Sequence, residues 1–508
     1  MPPRLRRPAL VLSLAAAMAV TGLTPTYAAS PTYAASPTYG ASPTYGASSP
    51  SDPSGGDGES FVRIGVGNDA SRTAEEILQE LKGGATLRSL GYGDLPRVPR
   101  TAEEAAEFRR TTASTYGVNA ADLTDAADAP ATRDLYDPVT QEECLADFRR
   151  GGRSGLPEGW VKNHYAWCAV KVVVIAHYYK VGPFTIPVPI GTSSMLVTFL
   201  GNGRADGRRV DYTAQGSKLD MSGFPGDPRF GLDFDCVSTY AAVAGDVCED
   251  SSSGSALTPL AMWVAAPARF TADAPATAGA EHERIVKAVF SFGMWGKAGS
   301  SSPQLKDGPR STLRFDTSDY IARPEPEPDA HDEPTRAVSR RDEPEQRPEL
   351  VDGAVFDNTV PHLVYRLGGK EAAVAEHIRT ALEDPAATVP ARTDPPKRIP
   401  GGSAASPLHR LVRKKNPQRV RDNRKAVRAE CAKLVKPGVP KPECDEFPFA
   451  SSLEGAGLPT YRPAAPYGDF SVKYVPGADN SSAGGALGAW YQRDRILDGD
   501  PFFIRIVP

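Results

Sequence analysis

The chain has 508 residues, 40% hydrophobic and 24% charged, which is more than one ordinary core accommodates and excludes a single small domain. Its 47 Gly and 48 Pro follow no three-residue period and its apolar content is globular, which excludes collagen and wholesale disorder. The net charge of −4 conceals an asymmetry, because residues 401–508 carry net +6 and residues 1–400 net −10, a basic tail on an acidic body.

In chain order, Arg4, Arg6 and Arg7 precede an apolar run from Pro8 to Leu23 and then Tyr27-Ala28-Ala29. Residues 1–29 therefore read as a secretory signal peptide. Ser13, Thr21 and Gly22 make the run too short and too polar for a membrane anchor. The expected mature protein is secreted, extracellular and free of the membrane. Residues 30–60 continue a Pro-Thr-Tyr repeat, recurring at Pro25, Pro31, Pro37 and Pro43, into Ser/Gly/Asp-rich chain. Such sequence buries too little apolar surface to order itself and reads as a spacer, with a wall-binding repeat as the alternative.

Residues 61–140 form a helical lead-in. Two reciprocal capping patterns, Thr73…Glu76 and Thr101…Glu104, start helices; the first has the stripe Ile77, Leu78, Leu81 and stops at Gly83. Residues 141–322 change to strand patterning. Val170 to Tyr179 is β-branched and aromatic, and Met195, Val197 and Phe199 alternate before the turn-prone Asn202-Gly203. Further strands are expected at Val210/Tyr212, Met262 to Val264, Ile285 to Phe292 and Leu313 to Phe315, with Gly293 to Lys297 a turn. The count suggests a sandwich-like β module. Residues 323–350 are a Pro-rich acidic linker or a loop within that module. Residues 351–400 complete it, strand-like from Ala354 to Leu367 and helical from Glu371 to Leu382, before a Pro/Gly-rich break.

Six cysteines, an even number in a chain expected to be exported, imply disulfides. Fifteen pairings are possible; the expectation adopted is sequence-local pairing, Cys144 to Cys168, Cys236 to Cys248 and Cys431 to Cys444, which keeps each bridge within one expected domain.

From Leu408 to Lys441, 12 Lys and Arg face two acids. Val420, Val427, Cys431 and Leu434 fall at helical spacing, so a helix past Pro417 points Arg421, Arg424, Lys425 and Arg428 outward. That face is either a solvated surface or the electrostatic footprint of a polyanion: nucleic acid, anionic polysaccharide or wall polymer. Beyond it, Asp445, Glu446 and Glu454 are embedded among apolar and small residues, where burial and like charge raise a carboxyl pKa and suit it to act as base or hard-cation ligand. The stretch from Asp479 to Gly485 supplies a turn and cap before a helix from Ala486 to Tyr491, and Asn480 either caps or completes a cation site. Arg493 and Arg495 lie within reach of a phosphate, although Arg495 has Asp498 and Asp500 as structural partners. The histidines at 164, 177, 282, 331, 362, 377 and 409 show no paired metal spacing and read as structural. No phosphate-binding loop or nucleophile elbow is visible.

The strings Cys-Asp-Glu-Phe-Pro-Phe-Ala-Ser-Ser-Leu-Glu-Gly at 444–455, Asp-Asn-Ser-Ser-Ala-Gly-Gly at 479–485 and Arg-Ile-Leu-Asp-Gly-Asp-Pro-Phe at 495–502 resemble the catalytic module of the NucA/NucB-type secreted deoxyribonucleases. The resemblance spans roughly 405 to 508. It implies an α+β, ββα-metal-like nuclease domain at 401–508 with aspartate in place of the usual histidine base. It further implies Asp445 as general base, Asn480 as helix-borne metal ligand, Glu446 and Glu454 supporting the metal or the water, Mg²⁺ or Mn²⁺ as cofactor, and DNA as a non-specifically bound partner. The expected protein is thus multidomain, a β-rich sandwich-like N-terminal module with a helical lead-in plus that nuclease domain. The rival readings are a non-catalytic secreted or cell-wall binding protein with a basic adhesive tail, and an antibacterial nuclease toxin partnered by an immunity protein. The ligand of the β module is left open.

Overall fold

The computed structural model describes residues 58–119, 136–182, 185–223, 227–239, 248–253, 257–276, 278–279, 283–321 and 350–508. The expected signal peptide, the Pro-Thr-Tyr repeat and nearly all of the acidic linker lie outside the described residues. The chain begins with β1 (Gly58–Gly67), α1 (Ala74–Lys82), α2 (Ala102–Thr112), β2 (Gly117–Asn119), α3 (Gln141–Arg149), β3 (Trp160–Asn163), β4 (Ala166–Val181), β5 (Val188–Gly203) and β6 (Arg209–Ser222). It continues through β7 (Pro228–Ser238), β8 (Glu249–Ser253), β9 (Thr258–Pro259), α4 (Leu260–Ala265), β10 (Ala268–Asp273), β11 (Val286–Ala298), β12 (Gln304–Ser318), β13 (Val351–Val355) and β14 (His362–Arg366). The remainder is α5 (Ala372–Glu383), β15 (Leu408–His409), α6 (Pro417–Cys431), β16 (Pro442–Phe447), α7 (Leu458–Tyr461), β17 (Ser471–Pro476), α8 (Gly477–Arg493) and β18 (Pro501–Val507).

One antiparallel sheet runs β1-β4-β5-β6-β10-β8 with β3 on β4, and a second runs β13-β12-β11-β7-β9. Their facing sides share an aromatic core including Trp167, Phe199, Tyr212, Phe234, Phe290 and Phe292. The other side of β4 is covered as well, because Val170, Val172 and Val174 pack with Ile77 and Leu81 of α1. That double burial explains the unbroken apolar run in β4. Both expected capping boxes are present, and a third, Thr140 with Glu143, starts α3. The disulfides join Cys144 to Cys168, Cys236 to Cys248 and Cys431 to Cys444. They fit an oxidising compartment.

Several local expectations are corrected. The lead-in contains a strand, β1, which pairs with β4 from Gly58 onward. Met262 to Val264 lies in helix α4, where Leu260 and Trp263, three apart, are the buried residues. Gly293 to Lys297 continues β11, flanked on both sides by β7 and β12.

Residues 351–400 divide between two cores. β13 closes the second sheet, whereas β14 joins a separate sheet in the order β15-β18-β14-β2, pairing in parallel with both β18 and β2. Leu363, Tyr365, Val374 and Ile378 share one core with Phe447, Leu487, Trp490 and Ile504. Residues 401–508 are therefore not a self-contained core, since a strand and a helix preceding residue 401 complete it.

A charged network locks the turn after α8 onto the β module. Arg495, fully buried, donates from Nε to Asp316 Oδ1 at 2.8 Å and from Nη2 to the Val351 carbonyl at 2.7 Å. A Cβ at Gly353 would stand 2.1 Å from the Arg495 Cζ, so glycine there lets the guanidinium lie against β13. Arg314 bridges Asp316 and Asp500, and Tyr116 donates to Asp494. The expectation that Arg495 reaches a phosphate, or pairs with Asp498 or Asp500, is thus replaced by an ion pair with a residue 179 positions away. Local spacing cannot reveal such a partner.

Removing one member of this pair strands the other charge in a dry interior. Asp316→Ala is expected to lower the unfolding free energy by roughly 3–5 kcal/mol, as measured by urea denaturation of the full chain.

Candidate active site

The site is assembled on the β16–β17 hairpin. Pro417 occupies the first turn of α6, where its missing N–H costs nothing, and Val420, Val427 and Cys431 form the buried stripe of that helix. The Cys431–Cys444 disulfide ties the end of α6 to β16. In mid-helix the buried Asn423 donates to the Ala450 and Ser452 carbonyls and accepts from Gly457 N–H, fixing the loop after β16. Side chains alternate along β16. Cys444 packs in a small cluster with Val427 and Cys431, whereas Phe447 packs in the core containing α5 and α8. Asp445 consequently faces α5 and α8, and Glu446 faces α6.

Both carboxylates border one cavity of about 600 Å³, whose walls include Arg424 and Arg428 of α6 and Asn480 of α8. Asp445 is 5% exposed, and its Oδ2 lies 2.6 Å from Nδ1 of His377 on α5. The other ring nitrogen of His377, Nε2, is 2.7 Å from Ser471 Oγ on β17. Glu446 accepts from Ala450 N–H at 3.3 Å, and burial, with the negative charge of Asp445 beside it, pushes its carboxyl up to about 7. Arg410 also lines the cavity, its guanidinium 4.5 Å from the Tyr491 ring centroid and 5.3 Å from that of Tyr320 in the β module. Burial pulls the Arg410 pKa down, but an arginine keeps its charge, so a fixed cation stands in the wall.

The sequence-derived site residues separate into two groups. Asp445, Glu446, Asn480, Arg424 and Arg428 come together around the cavity. Arg421 and Lys425 are exposed on α6 but outside the cavity lining, as two flanking positive charges. Glu454 is elsewhere: it accepts from His409 N–H at 2.9 Å and meets the His409 ring at 2.8 Å, so it anchors β15 and does not face the two cavity carboxylates. Closeness in the motif string does not survive the turn at residues 448–453. Arg493 sits at the opposite end of α8 from Asn480, about 20 Å along the helix axis, and lies over the ring of Tyr136. Helix α8 itself begins at Gly477, so Asn480 lies within its first turn and does not precede the helix as a cap. Gly484 and Gly485 weaken the middle of the helix. Burial of Ala483, Ala486, Leu487 and Trp490 offsets them.

The sequence reading gave no site role to His377, which it took as structural, to Ser471, or to Arg410, which it counted only within the basic cluster. A signal for His377 existed in the stripe Val374, Ile378, Leu382, which puts position 377 on the same buried face, where an imidazole requires hydrogen-bond partners.

Asp445, Glu446 and the amide oxygen of Asn480 are hard oxygen donors. The Asn480 Nδ2 is engaged by Glu443 at 2.9 Å, which leaves its oxygen as the coordinating atom. Among the described residues no three His, Cys, Asp or Glu side chains converge as a metal cluster. A carboxylate and an amide oxygen, those of Glu446 and Asn480, are donors of the kind Mg²⁺ or Mn²⁺ accepts, with waters and substrate phosphate oxygens completing the shell.

Residues 401–505 match the family model Deoxyribonuclease NucA/NucB. No curated protein and no solved structure matches the chain. The match supports nuclease activity at the level of that family, with DNA as substrate.

Glu446 offers a metal-free check of this geometry. Its folded pKa, raised from 4.5 to about 7, means that the folded state holds the proton more tightly. The associated stability is full below the unfolded pKa and is lost as pH rises through about 7. In EDTA, Glu446→Gln should exceed the parent in stability at pH 8 by on the order of 2 kcal/mol, and the gap should close at pH 4 in paired denaturation curves.

Proposed function

We propose that the cavity on the β16–β17 hairpin is the active site of a secreted, metal-dependent and largely non-specific endonuclease that hydrolyses phosphodiester bonds of extracellular DNA. The observation that carries this reading is the convergence of Asp445, Glu446 and Asn480 on a cavity that Arg424 and Arg428 also line.

Phosphodiester hydrolysis requires an attacking water to lose a proton, the phosphoryl oxygens to be neutralised and the leaving alkoxide to be stabilised. Asp445 serves as the general base: one oxygen is held by His377, and the other is available to take the proton of a water positioned in the cavity. Glu446, in its deprotonated form, and the Asn480 amide oxygen would hold a divalent cation. A bound Mg²⁺ or Mn²⁺ supplies charge neutralisation at the phosphoryl and leaving oxygens. Arg424 and Arg428 grip backbone phosphates beside the scissile bond, with Arg421 and Lys425 extending the positive track along α6. Contacts of this kind read no base edges, which is why cleavage is expected to be indifferent to sequence. Arg410 adds a fixed positive charge to the wall of the same cavity.

Asp445→Asn is expected to lower plasmid cleavage at least 100-fold without moving the melting temperature; full activity in that variant removes Asp445 as the base. EDTA should abolish cleavage, and added Mn²⁺ or Mg²⁺ should restore it. For the Arg424→Ala/Arg428→Ala pair, DNA affinity plotted against salt on logarithmic axes should become shallower by about two. An unchanged slope places the phosphate track elsewhere.

A further inference from the structure

We propose that His377, on a helix outside the segment matched by the deoxyribonuclease family, is the positioning residue that orients the Asp445 carboxylate for proton abstraction; this rests on Asp445 being the base. The imidazole is 1% exposed and both of its nitrogens are engaged, Nδ1 with Asp445 Oδ2 and Nε2 with Ser471 Oγ. Ser471 is fully buried on β17, the strand that pairs with β16. One helical side chain thus contacts both strands of the hairpin that presents the carboxylates.

The direction of the bonds follows from donor inventory. An ionised carboxylate only accepts, so Nδ1 carries the proton given to Asp445, and in the neutral ring Nε2 accepts from the Ser471 hydroxyl. The chain Ser471–His377–Asp445 therefore fixes Oδ2 and, because the carboxylate is planar, sets the direction in which Oδ1 faces the cavity. Val374, Ala375, Ile378 and Ala381 are buried on the same helix and hold the ring in place. Without His377 the Asp445 side chain has free rotamers, and its productive orientation becomes one among several.

The test uses the full chain and two near-isosteric substitutions. Asparagine places an amide N–H near the position of Nδ1, whereas glutamine places it near Nε2. His377→Asn should keep kcat within about threefold of the parent, and His377→Gln should lose 10- to 100-fold in kcat with KM and melting temperature unchanged. Ser471→Ala, which removes only a hydroxyl, is the companion variant and should lower kcat several-fold, again with KM unchanged. Equal kcat in both His377 variants together with an unaffected Ser471→Ala overturns the proposal, as does a kcat loss matched by a parallel fall in melting temperature. Asp445→Asn in the same assay separates the two readings. If it is inactive while His377→Gln is fully active, the base stands and the positioning role falls; if it is fully active, the base assignment itself is wrong.

Discussion

A guanidinium and a carboxylate, both withdrawn from water, join the turn after α8 to strand β12 of the sandwich. Such a pair is a poor source of net stability, because desolvation consumes most of its attraction. Its contribution is geometric. Arg495 can be neutral nowhere in this fold, so the turn that carries it has essentially one seat, against Asp316, Val351 and Gly353. Burial raises the carboxyl of Asp494, the preceding residue, well above its ordinary range, and that side chain is met by Tyr116. Two consecutive polar side chains thus fix the C-terminal end of α8, and a helix held at one end by its turn and along its length by Leu487 and Trp490 delivers Asn480 to the cavity at the other.

The β module and residues 401–508 are accordingly coupled through ordinary packing and electrostatics. Tyr320 of the module lies against Arg410 in the cavity wall. Lys415, just ahead of α6, pairs with Glu283 of the module. The acidic balance of the N-terminal region and the basic balance of the tail, visible as a bare charge count, are partly consumed in this contact, while Arg424 and Arg428 remain exposed to the cavity.

Local signals in the sequence sufficed for part of the fold, although they misread the helix over Met262–Val264 and the strand through Gly293–Lys297. The capping boxes at Thr73 and Thr101, the alternation through Met195, Val197 and Phe199, the stripe of α6 and the near-neighbour disulfides all follow from spacing. Asp445, Glu446 and Asn480 were singled out because motif order carries the family resemblance, and they line one cavity. Long-range pairing was not legible. The parallel contacts of β14 with β18 and β2 join His362 to Phe503 and to Gly117, far apart in the chain, and no periodicity encodes that register. Glu454 shows the converse error, since nine residues from Asp445 in sequence it turns away to His409. His377 shows how a buried polar residue on an amphipathic helix conceals its role until the strands beneath it are known.

The sheet that underlies the cavity has β18, residues 501–507, at its interior, flanked by β14 and β15. A polypeptide synthesised only as far as residue 500 already carries the basic helix and every residue of the cavity, yet it lacks the strand that completes their support. Biosynthesis therefore produces the cationic surface before the organised cleft.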